Sequence, residues 1–172
     1  MTVLGAVGLL IILLLALGWR LSWLATRVDR AHARAERTWA ALDAALVRRA
    51  QRATELVQSP GVDPATALLV SDAAAAALEP DLDHQEREQA ESDLSHVIEV
   101  VGPTLTTGPD GLVAEQHRAS LSRRLHNDAV ATARALRRRR VVRTFRLAGH
   151  AAEPQPFEMA DGRQLLWPRD GT

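Results

Sequence analysis

Hydrophobic positions open the chain as an unbroken block and then thin into a stripe. Val3 to Trp19, VLGAVGLLIILLLALGW, holds no charged residue and nothing more polar than glycine. As a helix it spans ~25 Å at ~1.5 Å per residue, the short end of a bilayer crossing. Arg20 can snorkel to the headgroups, and Trp19 and Trp23 suit the interface, which lengthens the effective span. From Leu24 the small and apolar residues recur in steps of three or four, through Val28, Ala31, Ala35, Trp39, Leu42, Leu46, Ala50, Ala53 and Val57. That spacing predicts one long amphipathic helix continuing from the apolar block.

The segment QSPGVDP, Gln58 to Pro64, ends this helix. Pro60 and Gly61 break it, Asp63 is a ready N-cap, and Pro64 takes the favoured first position of the next helix. The pattern predicts a second helix from Pro64 to about Glu79, and a third from about Asp83 to Val101 burying Leu94, Val97, Ile98 and Val101. GPTLTTGPDG reads as a loop. A fourth helix follows from about Leu112 to Arg140, with Leu121, Leu125, Ala129, Ala133 and Leu136 on its apolar face. No stretch alternates as a strand does. The expected fold is all-α: a transmembrane anchor over residues 1–23, an antiparallel up-down helical bundle over 24–148, and a loosely ordered, Pro- and Gly-containing tail over 149–172.

The up-down order places the end of the fourth helix beside the bilayer. That end carries ARALRRRRVVRTFRL, with arginines at 134, 137–140, 143 and 146. Over the whole chain 21 basic residues balance 21 acidic ones, so no global field draws it to a polyanion. Every basic residue is Arg, which reads as compositional habit and weakens the run as evidence for a ligand. Arg137, Arg138, Arg139, Arg140 and Arg143 are the candidate contacts for an anionic surface such as the inner leaflet, with Phe145 and Leu147 dipping into the interface beside them. A solvated helix end that complements the dipole is the competing reading. Nucleic acid is disfavoured, because the run lacks interleaved aromatics and any recognised binding motif.

Charge also sets an expected orientation. No Arg precedes the apolar block, whereas Arg20, Arg27, Arg30, Arg34 and Arg37 follow it, so a single-pass anchor would leave the N-terminus outside and the bundle in the cytoplasm. A cleaved signal peptide, with Ala16 and Gly18 at the cut, is the alternative; it lacks a basic n-region, and the helical pattern runs through the site. Absent cysteine excludes disulfides and thiol chemistry. Without tyrosine and with two phenylalanines, the core must be built from Leu, Val and Ala.

Several stretches together resemble the LemA family. RTWAALDAALVRRAQRATELV is similar to its first signature, with Trp39, Leu42, Asp43, Leu46, Arg48, Arg49, Leu56 and Val57 in the matching places. RRLHNDAV resembles a second element through Asn127 and Val130, and FRLAGH with PFE resembles the closing apolar turn through Phe145, Gly149, Phe157 and Glu158. The chain departs where His126 stands in place of a family Tyr, where Ala133-Arg134 replaces a second Tyr-Asn, and in a short middle broken by Pro. The resemblance implies a membrane-anchored, antiparallel helical domain that is not an enzyme.

Chemistry-bearing residues are sparse. Asp43 lies at the edge of the Trp39–Leu42–Leu46 stripe, where a structural pair with an Arg or Asn of the fourth helix is preferred over a catalytic base. His126 falls on the apolar arc of the fourth helix and is expected as a packed, hydrogen-bonded core histidine. DLDHQERE, Asp81 to Glu88, has neither the calcium-loop glycine nor the zinc spacing, and reads as an acid-rich helix start. No phosphate loop or nucleophile elbow is present. The sequence therefore points to a non-enzyme without cofactor, metal or catalytic residues. Its expected partners are the lipid bilayer and either an unidentified protein or a second copy. A peripheral anionic-lipid or nucleic-acid binder acting through residues 134–146 is the alternative.

Overall fold

The computed structural model of the chain describes residues 2–104, 109–149 and 151–160. Among them every regular element is helical: α1 (Thr2–Val57), α2 (Pro64–Ala77), α3 (His84–Val101), a 3-10 turn (Gly102–Thr104), α4 (Pro109–Arg137) and α5 (Arg140–Thr144). The all-α expectation holds. The apolar block and the stripe that follows form one continuous helix, α1.

Helix starts follow the caps read from the sequence. Asp63 accepts hydrogen bonds from the Ala65 and Thr66 amides, each at 3.0 Å, ahead of Pro64. At α3, Asp83 Oδ1 accepts from the Glu86 amide at 2.9 Å while Glu86 Oε2 accepts from the Asp83 amide at 2.9 Å, a reciprocal capping box. The hydroxyl and amide of Thr66, with the Ala65 amide, hold the Asp63 carboxyl below the usual carboxylate range. Its contribution is therefore complete above the ordinary carboxylate pKa and is lost as pH falls through the lowered one. In an NMR titration the Ala65 and Thr66 amide shifts should move below the usual carboxylate range, and Asp63→Asn should abolish the movement. A titration at or above that range would show that the cap does not hold the charge.

The described residues pack as two compact units, one of residues 2–37 with Asp128–Gln155, the other of Thr38–Asn127 with residues 156–160. In the first, Leu24, Val28 and Ala31 of α1 meet Ala133 and Leu136 of α4 and Val142 of α5, with Leu147 and Ala148 at the edge. Ala35 meets Ala129 and Val130. Residue numbers rise along α1 as they fall along α4, so the two helices run antiparallel.

The second unit repeats that antiparallel pairing. Leu42, Ala45 and Leu46 pack with Ala119, and Ala50, Ala53, Leu56 and Val57 share a core with Leu112. Val70, Ala74 and Ala77 of α2 and Leu94, Ile98 and Val101 of α3 complete that core. The α2 contributors lie on successive turns, and two of them are alanines, so the helix can approach closely. Every position of the α1 stripe from Leu24 to Val57 is buried except Trp39, which is half-buried.

Three expectations need correction. On α4, Leu121 and Leu125 are 59% and 49% exposed, while Leu112, Gln116, Ala119 and His126 are buried along with Ala129, Ala133 and Leu136. The inward face runs through polar residues that find partners, so hydropathy alone misplaced it. The fourth helix also stops at Arg137 rather than Arg140: Arg139 is extended, and α5 then turns Val142 into the first unit's core. Finally, residues 151–160 are not loose. They run without regular structure, yet Phe157 and Met159 are buried. The expected tail over 161–172 lies outside the described residues.

Candidate functional site

Three side-chain constellations are candidates. The first is built around Trp39. Its ring lies 5.7 Å from the His84 ring, 5.4 Å from His126 and 5.5 Å from Phe157, and Phe157 meets His84 edge-on at 5.6 Å. Helices α1, α3 and α4 each supply one ring, and the irregular segment 156–160 supplies the fourth. Asn127 fixes that segment in the manner of a neighbouring strand. Its Oδ1 accepts from the Phe157 amide at 2.8 Å, and its Nδ2 donates to the Phe157 carbonyl at 3.0 Å.

Other helices finish the clasp. Glu88 Oε1 accepts from the Glu158 amide at 2.6 Å, and Ser92 Oγ accepts from the Ala160 amide at 3.1 Å. His84 Nε2 lies 2.9 Å from the Pro156 carbonyl, which can only accept, so that nitrogen carries the proton. His126 is buried, as expected, with Nδ1 3.4 Å from the Thr38 hydroxyl. The signature residues Trp39, Leu42, Leu46 and Asn127 thus converge on one segment, while Val130 packs in the first unit with Ala35.

The second constellation is a buried ion network that periodicity did not reveal. Arg49 and Glu91 have side chains with 0% exposure, and Arg49 Nη2 meets Glu91 Oε2 at 2.5 Å. The guanidinium also donates to the Glu91 carbonyl, Ser95 Oγ and Gln116 Oε1, each at 2.9 Å. Arg87 bridges outward, with Nε 3.3 Å from Glu91 Oε1 and Nη2 3.1 Å from Asp43 Oδ1. Asp43 therefore pairs with an Arg of α3, not with an Arg or Asn of α4. The one legible signal was position: Arg49 falls three residues after Leu46 and four before Ala53, on the inward stripe. These charges are occupied with one another, an arrangement suited to fixing helix register.

The third lies at the arginine-rich end, within the first unit. Trp23 carries the Arg20 and Arg27 guanidiniums 5.9 and 5.5 Å from its ring centroid. Arg137 donates to His32 Nε2 at 3.0 Å and to the Ala151 carbonyl at 2.8 Å. Since His32 Nδ1 faces the Val28 carbonyl at 3.1 Å, the proton sits on Nδ1 and Nε2 accepts. Arg134 holds the Pro154 carbonyl at 2.8 Å and Glu153 at 3.3 Å. Arg137 is thus committed to the chain itself, which removes it from the expected anionic-surface contacts. Arg138, Arg139, Arg140 and Arg143 are exposed, and so is Arg146. Leu147 turns inward to the core, so it does not accompany Phe145 outward.

Among the described residues no group of three His, Asp or Glu side chains is arranged to hold a metal ion. The chain matches no protein-family model, no curated protein and no solved structure.

Proposed function

We propose that the chain is a membrane-anchored, non-enzymatic helical-bundle protein of the LemA type, an interaction module held at the cytoplasmic face by a single span. The observation that carries this reading is the start of α1. It is long and apolar enough to cross a membrane, its most apolar stretch has a mean hydropathy of 2.3, and none of that stretch is buried by protein. A core helix of equal hydropathy would be covered. Trp23, clasped by Arg20 and Arg27, supplies the amphipathic boundary that an interface favours. The positive-inside bias favours the N-terminus outside.

The LemA reading is supported by the joint use of its signature residues, four of which meet the segment containing Phe157. An interaction role is supported by Leu121 and Leu125, one turn apart and uncovered on α4. A reporter fused after residue 172 should be active only in its cytoplasmic form. Activity on the outer side, or a mature chain starting at Trp19, would sink the anchor and its orientation. A photo-crosslinker at position 121 or 125, used in intact membranes, should give a discrete adduct with a second copy or a partner protein. Uncrosslinked protein alone would refute the interaction role.

A further inference from the structure

We propose that α5 and the turn after it form an interfacial element that binds anionic lipid, with Val141 and Phe145 entering the headgroup–acyl boundary and Arg139, Arg140, Arg143 and Arg146 holding lipid phosphates. The proposal rests on the membrane-crossing reading of α1 and adds a second attachment to the same bilayer.

Depth is the first argument. Val142 shares a buried cluster with Leu24, Val28 and Ala31, within the same unit as the apolar block. Leu24 stands ~8 Å beyond Trp19 along α1 at ~1.5 Å per residue. The headgroup layer on each side of a bilayer is ~5–8 Å thick, so α5 lies where headgroups would be.

Orientation is the second. Val142 is 1% exposed, whereas Val141 and Phe145 are 45% and 49% exposed. Those two are four residues apart and so share one side of the short helix. An uncovered valine and phenylalanine are out of place in water among arginines, and suit a surface that is apolar below and anionic above.

Charge is the third. Arg134 and Arg137 are engaged by residues 151–154 and His32. Arg138, Arg139, Arg140, Arg143 and Arg146 are exposed, and among the described residues none of them meets a carboxylate. Arg143 and Arg146 also line an open recess with Arg137, Val142, Ala148 and Gly149. Arg146 sits there at φ 50°, a left-handed conformation seldom taken by an L side chain and one that sets where its side chain departs. A guanidinium is well matched to phosphate because it donates a planar pair of hydrogen bonds.

The chain contains no cysteine, so one introduced thiol gives a unique label. Phe145→Cys and, separately, Leu10→Cys would be spin-labelled in the full chain, reconstituted in bilayers of phosphatidylcholine alone or mixed with phosphatidylglycerol. The Leu10→Cys label tests the anchor by itself. With it in hydrocarbon, the label at 145 should be more accessible to oxygen than to a water-soluble nickel chelate in the anionic bilayer. It should move toward water in the neutral bilayer, in salt well above ~0.15 M, where the screening length is ~8 Å, and when Arg139, Arg140 and Arg143 become Gln. A water-exposed label at 145 beside a lipid-buried one at 10 overturns this proposal and leaves the anchor standing. Equal depth in neutral and anionic bilayers overturns the binding of anionic lipid, since phosphatidylcholine carries a phosphate too and only the net charge differs. Salt-sensitive retention of polynucleotide with the 145 label still in water would assign the arginines to nucleic acid and overturn it as well.

Discussion

Arg49→Met should destabilise the bundle by about 3–5 kcal/mol, the usual consequence of stripping one partner from a buried ion pair. Glu91 would keep Arg87 on one oxygen, while the oxygen now facing Arg49 would be left in the interior without its cation. Ser95 and Gln116 would lose their guanidinium contacts as well. At ~2–4 °C per kcal/mol for a chain of this size, the thermal midpoint should fall on the order of 10 °C. Arg49→Lys should recover only part of the loss, because an ammonium cannot reach several acceptors in one plane as the guanidinium does. The pair Arg49→Met/Glu91→Leu should be less destabilised than the sum of its single variants, since it leaves no lone charge opposite a missing partner. Strict additivity, or an Arg49→Met midpoint within error of the parent, would mean that the network is not closed as described.

Phe157→Ala is expected to have the second-largest effect. Phe157 is fully buried among Trp39, His84, Leu42 and Leu46, and truncating such a ring costs about 3–5 kcal/mol when the surroundings cannot collapse. The segment that carries it is short, so release of residues 156–160 should limit the loss. Hydrogen exchange separates the two consequences. The Phe157, Glu158 and Ala160 amides should lose protection, while α1 amides around Leu46 keep theirs. Asn127→Ala should give the same local release through loss of its two backbone hydrogen bonds, each worth about 1 kcal/mol net. Trp39→Ala should weaken the same clasp by less than a fully buried Trp would, because Trp39 is only half-buried. Unchanged protection at Glu158 in both Phe157→Ala and Asn127→Ala would exclude the clasp.

The clasp shows why this segment was hard to see in the chain. Residues 151–160 have no hydrophobic period and no ladder of backbone bonds, so locally they read as a tail. Arg134 and Arg137 hold 151–154, and 156–160 take their order from acceptors and donors on His84, Glu88, Ser92 and Asn127, which are far away in sequence. Trp39, Asn127 and Phe157 stand in three separate stretches of the sequence, and nothing local brings them together. Arg49 was equally ambiguous, because an arginine on an inward stripe reads as a snorkelling side chain until a buried Glu is brought opposite.

By itself the sequence determined the first three helices, the N-caps of α2 and α3 and the inward face of α1. Each of these depends on interactions within a few residues: the 3.6-residue period, the reach of Asp63 and Asp83 to nearby amides, and the helix-breaking of Pro60 and Gly61. The uncharged block was legible for the same reason, since transfer to an apolar phase adds up along a continuous run. Only the tertiary structure decided that α4 buries Gln116 and His126 instead of Leu121 and Leu125, that Asp43 pairs with Arg87, and that the arginine run breaks so that Val142 turns inward and Val141 and Phe145 face outward. On an Ala-rich helix several faces are close in hydrophobicity. Which one is buried then depends on the partners that neighbouring helices offer to its polar groups, and those partners become neighbours only on folding.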